Sequence, residues 1–120
     1  MSGKNLEVAL NFHKNNELKK AEEIYLQLLK KNKDDFNVLY LLGTLKSQLN
    51  EYELGITLIQ KSLLINDNNF LAYSNLGLCY YNLNKLDKAI LFLNKSILQN
   101  NNYHESYNNL GSVYLKKKNI

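Results

Sequence analysis

The sequence predicts an all-α chain built as a row of antiparallel helical hairpins, and three observations lead there. The first is an internal repeat. Phe36 to Asn69 set against Phe70 to Tyr103 is identical at 11 of 34 positions, where this composition alone would give about four. The second is periodicity: each unit carries two apolar stripes at three- and four-residue steps, as one face of an α-helix requires. The third is punctuation, because Asn16, Asn50 and Asn84 recur at the polar break between the two stripes.

The matched pairs include Phe36 with Phe70, Leu42-Gly43 with Leu76-Gly77, Leu49-Asn50 with Leu83-Asn84, and Lys61-Ser62 with Lys95-Ser96. The same register extends to both ends and divides the chain into units 2–35, 36–69 and 70–103, with a partial unit 104–120. Seven helices follow. In the third unit Tyr73, Leu76, Gly77 and Tyr80 mark the first helix, and Leu86, Ala89, Ile90, Leu93 and Ile97 the second. Asparagine tolerates the left-handed conformation that ends a helix, so Asn16, Asn50 and Asn84 are expected as C-caps. The connectors 32–35, 66–69 and 100–102 are rich in Asn and Asp, whose short side chains bond local backbone and cap the next helix.

Two columns of small residues explain how hairpins close. Ala9, Gly43, Gly77 and Gly111 fall inside the first helices, and Ala21, Gly55 and Ala89 inside the second. A glycine within a helix costs about 1 kcal/mol relative to alanine, so its return at one place marks a close crossing. Phe12, Tyr80 and Tyr114, with Tyr25, Ile59 and Leu93, are expected to pack around these crossings.

Composition excludes several function classes. The chain has 120 residues, a net charge of +4, no proline and a single cysteine, Cys79, which can form no internal disulfide. No apolar run has the length of a signal peptide or a membrane span, so a soluble, cytoplasmic chain is expected. The two histidines, His13 and His104, lie in different units, and Cys79 falls in the core column with Leu45 and Val113. No nucleophile and base converge, no cluster has metal-ligand spacing and no glycine-rich phosphate loop occurs, so neither catalysis nor a cofactor is expected. Glu22-Glu23 and Asp34-Asp35 read as solvated surface or helix-start residues. Lys19-Lys20, Lys30-Lys31 and Lys116-Lys117-Lys118 suit helix ends, and with no arginine in the chain a nucleic-acid partner is not expected. The sequon Asn94-Lys95-Ser96 falls in mid-helix and reads as silent.

Leu76-Gly77, Tyr80, Ala89 and Leu93, restarted at Leu110-Gly111 and Tyr114, resemble the key positions of the tetratricopeptide repeat over essentially the whole chain. The departures are Lys33, Asp67 and Asn101 in place of the usual proline, Lys46 in place of an aromatic, and Gly55 in place of alanine, which make the second unit the expected loosest. The resemblance implies a right-handed superhelix whose first helices line a concave groove that holds an extended peptide or a partner helix. Carried over by position, the groove takes Leu6, Glu7, Leu10 and His13 from the first unit and Tyr40, Leu41, Thr44 and Ser47 from the second. The third supplies Ser74, Asn75, Leu78 and Tyr81, and the fourth Asn108, Asn109, Ser112 and Leu115. Its expected lining is nearly uncharged.

Leu6, Leu10 and Leu41 stand where the family's chaperone-binding members carry a carboxylate clamp, so that ligand is not expected. Asn75 and Asn109 are similar to the asparagine ladder in the repeats of O-linked N-acetylglucosamine transferase, where an amide can meet a peptide backbone without reading its side chains. Glu7 and Leu41 break the ladder in the first two units. The resemblance thus implies a protein-binding module or scaffold. The alternative is the N-terminal arm of a larger glycosyl-, sulfo- or methyltransferase that recruits its protein substrate. Because the sequence stops before a partner for the last helix, self-association through Leu110 and Tyr114 is a further expectation.

Overall fold

The computed structural model describes residues 2–119, and among these the secondary structure is helical throughout. The order is α1 (Ser2–Lys14), α2 (Leu18–Lys31), α3 (Phe36–Gln48), α4 (Tyr52–Ile65), α5 (Phe70–Asn82), α6 (Leu86–Gln99) and α7 (His104–Lys118). Each odd helix pairs with the even helix after it, and each even helix packs on the next odd one. The product is an elongated stack of 48 × 25 × 22 Å.

The hairpin turns are three copies of one device. Asn16, Asn50 and Asn84 have φ of 63°, 64° and 61°, the left-handed region that asparagine enters more cheaply than most residues. Each forms a Schellman closure: its own N–H reaches the carbonyl three residues back, and the next N–H reaches five back, as from Glu17 to Phe12 (2.8 Å), Glu51 to Lys46 (2.9 Å) and Lys85 to Tyr80 (2.8 Å). The connectors repeat as faithfully. The side-chain oxygens of Asn32, Asn66 and Asn100 accept from Asp34, Asn68 and Asn102 N–H. Asp35 then caps α3 through Val38 N–H, and Asn69 caps α5 through Ala72 N–H. At α7 the cap position holds Tyr103, whose ring makes no such bond.

The small-residue columns lie at the crossings. A methyl on Gly43 would sit 2.6 Å from Ile59 Cγ1 and 3.0 Å from the Gly55 carbonyl oxygen, and one on Gly77 would sit 2.5 Å from Leu93 Cγ. At its crossing the second unit, expected to be the loosest, is tightly closed. With glycine on both sides, α3 and α4 approach backbone to backbone, closer than Gly77 comes to the Ala89 carbonyl oxygen, where the added methyl would lie 3.3 Å away. Lys46 also does not weaken this hairpin. It occupies the aromatic column but pairs with Glu22 of α2 and, at 3.4 Å, with Glu51.

Tyr25, Ile59 and Leu93 are completely buried, which favours folding by roughly 1.5–3 kcal/mol for each aliphatic side chain. Two serines close the hairpins from the other end: Ser62 donates to the Phe36 carbonyl (2.7 Å) and Ser96 to that of Phe70 (2.8 Å), tying the last turn of α4 and α6 to the first turn of α3 and α5. At Gly111 of α7 the crossing is open, and a methyl added there would meet nothing within 4 Å. Tyr114 is half exposed on this helix, whereas Leu110 packs against the core of the third hairpin. No helix among the described residues is long and apolar enough to cross a membrane.

Candidate functional site

The first helices α3, α5 and α7 lie side by side, and the residues expected to line a groove sit mainly on their shared open face. Its centre is a cavity of about 320 Å³ between α3 and α5, walled by Thr44, Gln48, Tyr52, Asn75, Leu78 and Asn82. Asn75 joins the two helices, its Nδ2 donating to Thr44 Oγ1 at 3.0 Å and to the Tyr40 hydroxyl at 3.4 Å. Both amide hydrogens are thereby engaged within the protein, and the acceptor oxygen remains. Tyr40 is half-buried, and burial raises its pKa above the usual phenol value although its own bonds with Thr44 and Asn75 act the other way.

Leu78 is exposed beside Asn75. Tyr81, half-buried, lies under Lys116, whose Nζ is 4.6 Å from the ring centroid and donates to the Tyr81 carbonyl at 3.4 Å. On α7, Asn108 is exposed, Asn109 half-buried, and the Ser112 hydroxyl donates to the Asn108 carbonyl in its own helix. Ser74 departs from the expected lining. It is only 2% exposed, because its position on α5 turns inward toward the packed interior rather than toward the open face.

In the first unit the face changes character. His13 is tied back: Gln48 Oε1 can only accept, so His13 Nε2 donates in that 2.6 Å bond, and Nδ1 lies 2.8 Å from the Tyr25 hydroxyl. Burial drives the Tyr25 pKa up to about 12. Leu10, Glu7 and Lys14 border a shallow depression on α1 together with Lys4. The lining is therefore uncharged only in its middle, with Lys14 at one end and Lys116 at the other. The sequence reading missed Gln48, Asn82 and Lys116, which form a column with Lys14 one residue beyond the groove positions that the family resemblance supplied.

Cys79 is buried, its Sγ 2.9 Å from Ser47 Oγ, and burial pushes the thiol pKa up, away from a reactive thiolate. His104 is exposed on α7. Among the described residues no three His, Cys, Asp or Glu side chains gather as metal ligands would.

Comparison with known proteins agrees with the geometry. Residues 36–69 and 70–103 each match a family model described as tetratricopeptide repeat. No curated protein matches the chain by sequence. Among solved structures, the first TPR of Spaghetti (RPAP3), bound to the HSP90 peptide SRMEEVD, superposes with a TM-score of 0.91 at 15% identity, covering 98% of this chain and 93% of that one. The Thermobaculum terrenum O-GlcNAc transferase gives 0.90 at 20% identity over 93% of this chain, which spans only 22% of that protein. YrrB, described as a TPR protein with an unusual peptide-binding site, gives 0.84 at 21% identity over 99% of this chain and 61% of its own. With two successive 34-residue matches over more than half its length and seven helices in the same superhelical arrangement, the chain belongs to the tetratricopeptide-repeat family.

Proposed function

We propose that this chain is a non-catalytic, cytoplasmic interaction module that holds an extended peptide of another protein against α3, α5 and α7. The observation that carries the reading is Asn75. It is braced by Thr44 and Tyr40 at the edge of a 320 Å³ cavity, with an unused carbonyl oxygen that a peptide N–H can reach. Leu78 and Tyr81, both C-terminal to Asn75 on α5, offer apolar contact beside the amide row, and Asn108, Asn109 and Ser112 extend polar contact along α7. Ser74, being buried, supports the wall and does not touch the ligand. A peptide held mainly through its backbone is read for shape and for a few small or apolar side chains, not for charge, in the middle of this site.

The experiment is selection from a displayed peptide library, followed by affinity measurement on the wild type, on Asn75→Ala with Asn109→Ala, and on Tyr81→Ala. Selected peptides should lose about tenfold or more on the double substitution, because each lost hydrogen bond to a peptide is worth about 1 kcal/mol. Unchanged affinity on both variants would remove the proposal. A second reading, that these repeats form the substrate-recruiting arm of a larger transferase, draws support from the likeness to the T. terrenum enzyme, of which this chain spans 22%. Reading the gene past codon 120 discriminates the two: an open frame leading into a transferase domain favours the arm, and a stop codon favours the module.

A further inference from the structure

On the side of α5 away from the groove lies a second cavity, of about 360 Å³, between α4 and α6. At 100° per residue, Tyr73, Leu76 and Tyr80 occupy the face of α5 opposite Asn75, Leu78 and Asn82, so a ligand here does not compete with one in the groove. One wall is an aromatic stack. Phe92 lies between Tyr73 (centroids 6.4 Å apart, 13° between planes) and Tyr80 (5.5 Å, 8°). The other wall is α4, through Gln60, Leu63 and Leu64.

Two features of this surface face solvent. Leu64 on the rim is 88% exposed and so does not contribute to the core. Lys95 lies over the Phe92 and Tyr73 rings (5.4 and 5.9 Å), and Lys88 lies over Tyr80 (5.5 Å). Neither has a carboxylate within ion-pair reach among the described residues. Burial raises the Tyr73 pKa, and the nearby Asp67 carboxylate adds to the shift.

We propose that this crevice docks an amphipathic helix of another protein, with leucine-sized anchors packed against Leu64, Tyr73 and Phe92 and carboxylates facing Lys95 and Lys88. Exposed leucines beside an open aromatic wall are the mark of an interaction surface. The unpaired lysines state the sign of its partner. A trough between two helices fits a third helix with anchors at i, i+3, i+4 and i+7. A second copy of this chain suits the site poorly, since each copy carries +4 and would set lysine against lysine.

The test uses a helical peptide with leucine at i, i+3, i+4 and i+7 and glutamate on its remaining face, and a counterpart with lysine replacing glutamate. Binding is followed by amide chemical shifts on the full chain. The glutamate peptide should shift Leu64, Tyr73, Phe92 and Lys95, and the lysine peptide should bind at least about tenfold more weakly. Lys95→Glu should weaken the glutamate peptide about tenfold and favour the lysine one. Leu64→Ser should weaken both, with an unchanged urea midpoint because the side chain is already in solvent. Equal binding of the two peptides, no binding of either, or shifts confined to Asn75, Leu78 and Asn82 would overturn the proposal. Association of the chain with itself that Leu64→Ser abolishes would also overturn it, by assigning the crevice to a second copy.

Discussion

Asn75 Nδ2 donates to Thr44 Oγ1 at 3.0 Å, a side-chain bond between successive first helices. The same amide that is available to a ligand thus also fixes α5 against α3. Thr44→Val and Asn75→Ala are each expected to lower stability by about 0.5–1.5 kcal/mol. In a double-mutant cycle the two losses should fall short of additivity by roughly 0.5–1 kcal/mol, because the second substitution removes a bond already lost. Urea denaturation of the four proteins measures this.

Glycine-to-alanine substitutions should have opposite signs along one column. At Gly43 the new methyl meets Ile59 and the Gly55 carbonyl oxygen, neither of which yields without moving α4, so Gly43→Ala should destabilise by about 1–3 kcal/mol. At Gly111 nothing lies within 4 Å, and the gain in helix propensity should stabilise by up to about 1 kcal/mol. Thermal midpoints of the two variants moving in the same direction would contradict the account of the crossings.

The three hairpin turns offer a third comparison. Asn50 has φ of 64° and donates its N–H to the Ser47 carbonyl at 3.0 Å. Asn50→Gly keeps that bond and relieves the left-handed strain but loses the exposed bond from the Tyr52 hydroxyl to Asn50 Oδ1 (2.8 Å), so it should be close to neutral. Asn50→Ala keeps the bond at a strain of about 1–2 kcal/mol. A gap of that size between the glycine and alanine variants, repeated at Asn84, is the expected result in denaturant titrations.

What could be read from the sequence was whatever repeats with a hydropathy or conformational signature. The crossings at Gly43 and Gly77, the caps at Asn16, Asn50 and Asn84, and the core place of Cys79 all recur at a fixed offset, so the 34-residue comparison exposes them. Ser62 and Ser96 recur too, but a serine carries no hydropathy signal, and only coordinates reveal that each closes a hairpin on the Phe36 or Phe70 carbonyl. The Lys46–Glu22 pair was hidden because it joins different units, with no regular spacing to mark it. Ser74 was misplaced because a groove column carried over from a family fixes a helix position, whereas burial depends on how far that helix is rotated against its neighbours. Lys116 was assigned to a solvated helix end. Its side chain instead folds back over Tyr81, a contact between residues 35 positions apart.

Ser96 also gives a prediction about buried polar groups. Its hydroxyl serves the Phe70 carbonyl and lies 2.7 Å from Ser106 Oγ, and both serines are fully buried. Ser96→Ala leaves the buried Ser106 hydroxyl without its partner and takes one of two acceptances from the Phe70 carbonyl, which keeps its bond within α5, and should cost roughly 1–3 kcal/mol. Ser96→Ala with Ser106→Ala removes the orphaned hydroxyl and should be the less damaged protein of the pair, or equal to it. A double variant that loses the sum of the two single effects would show that the serines act independently.

Stability should fall on the alkaline side, and the sign follows from the direction of the shifts. Burial raises Tyr25 to about 12, and burial with Glu105 raises Tyr103 to about 12. The hydrogen bond to Glu22 raises Lys46 above the ordinary lysine value. In each case the protonated form is favoured by folding. The contribution is therefore complete below the ordinary values near 10 and is lost as pH climbs through the raised ones, because the unfolded chain releases those protons first. Tyr25, with no exposed surface, should dominate, contributing roughly 1–3 kcal/mol of the loss by pH 12. Urea midpoints measured from pH 9 upward should decline beyond pH 10, with tyrosinate absorbance of one residue appearing only on unfolding. Tyr25→Phe should lower stability at neutral pH, since His13 Nδ1 loses its hydrogen-bond partner, yet flatten the alkaline decline. An alkaline limb unchanged by that substitution would assign the loss to Tyr103 or to Lys46, which Tyr103→Phe and Lys46→Met would tell apart.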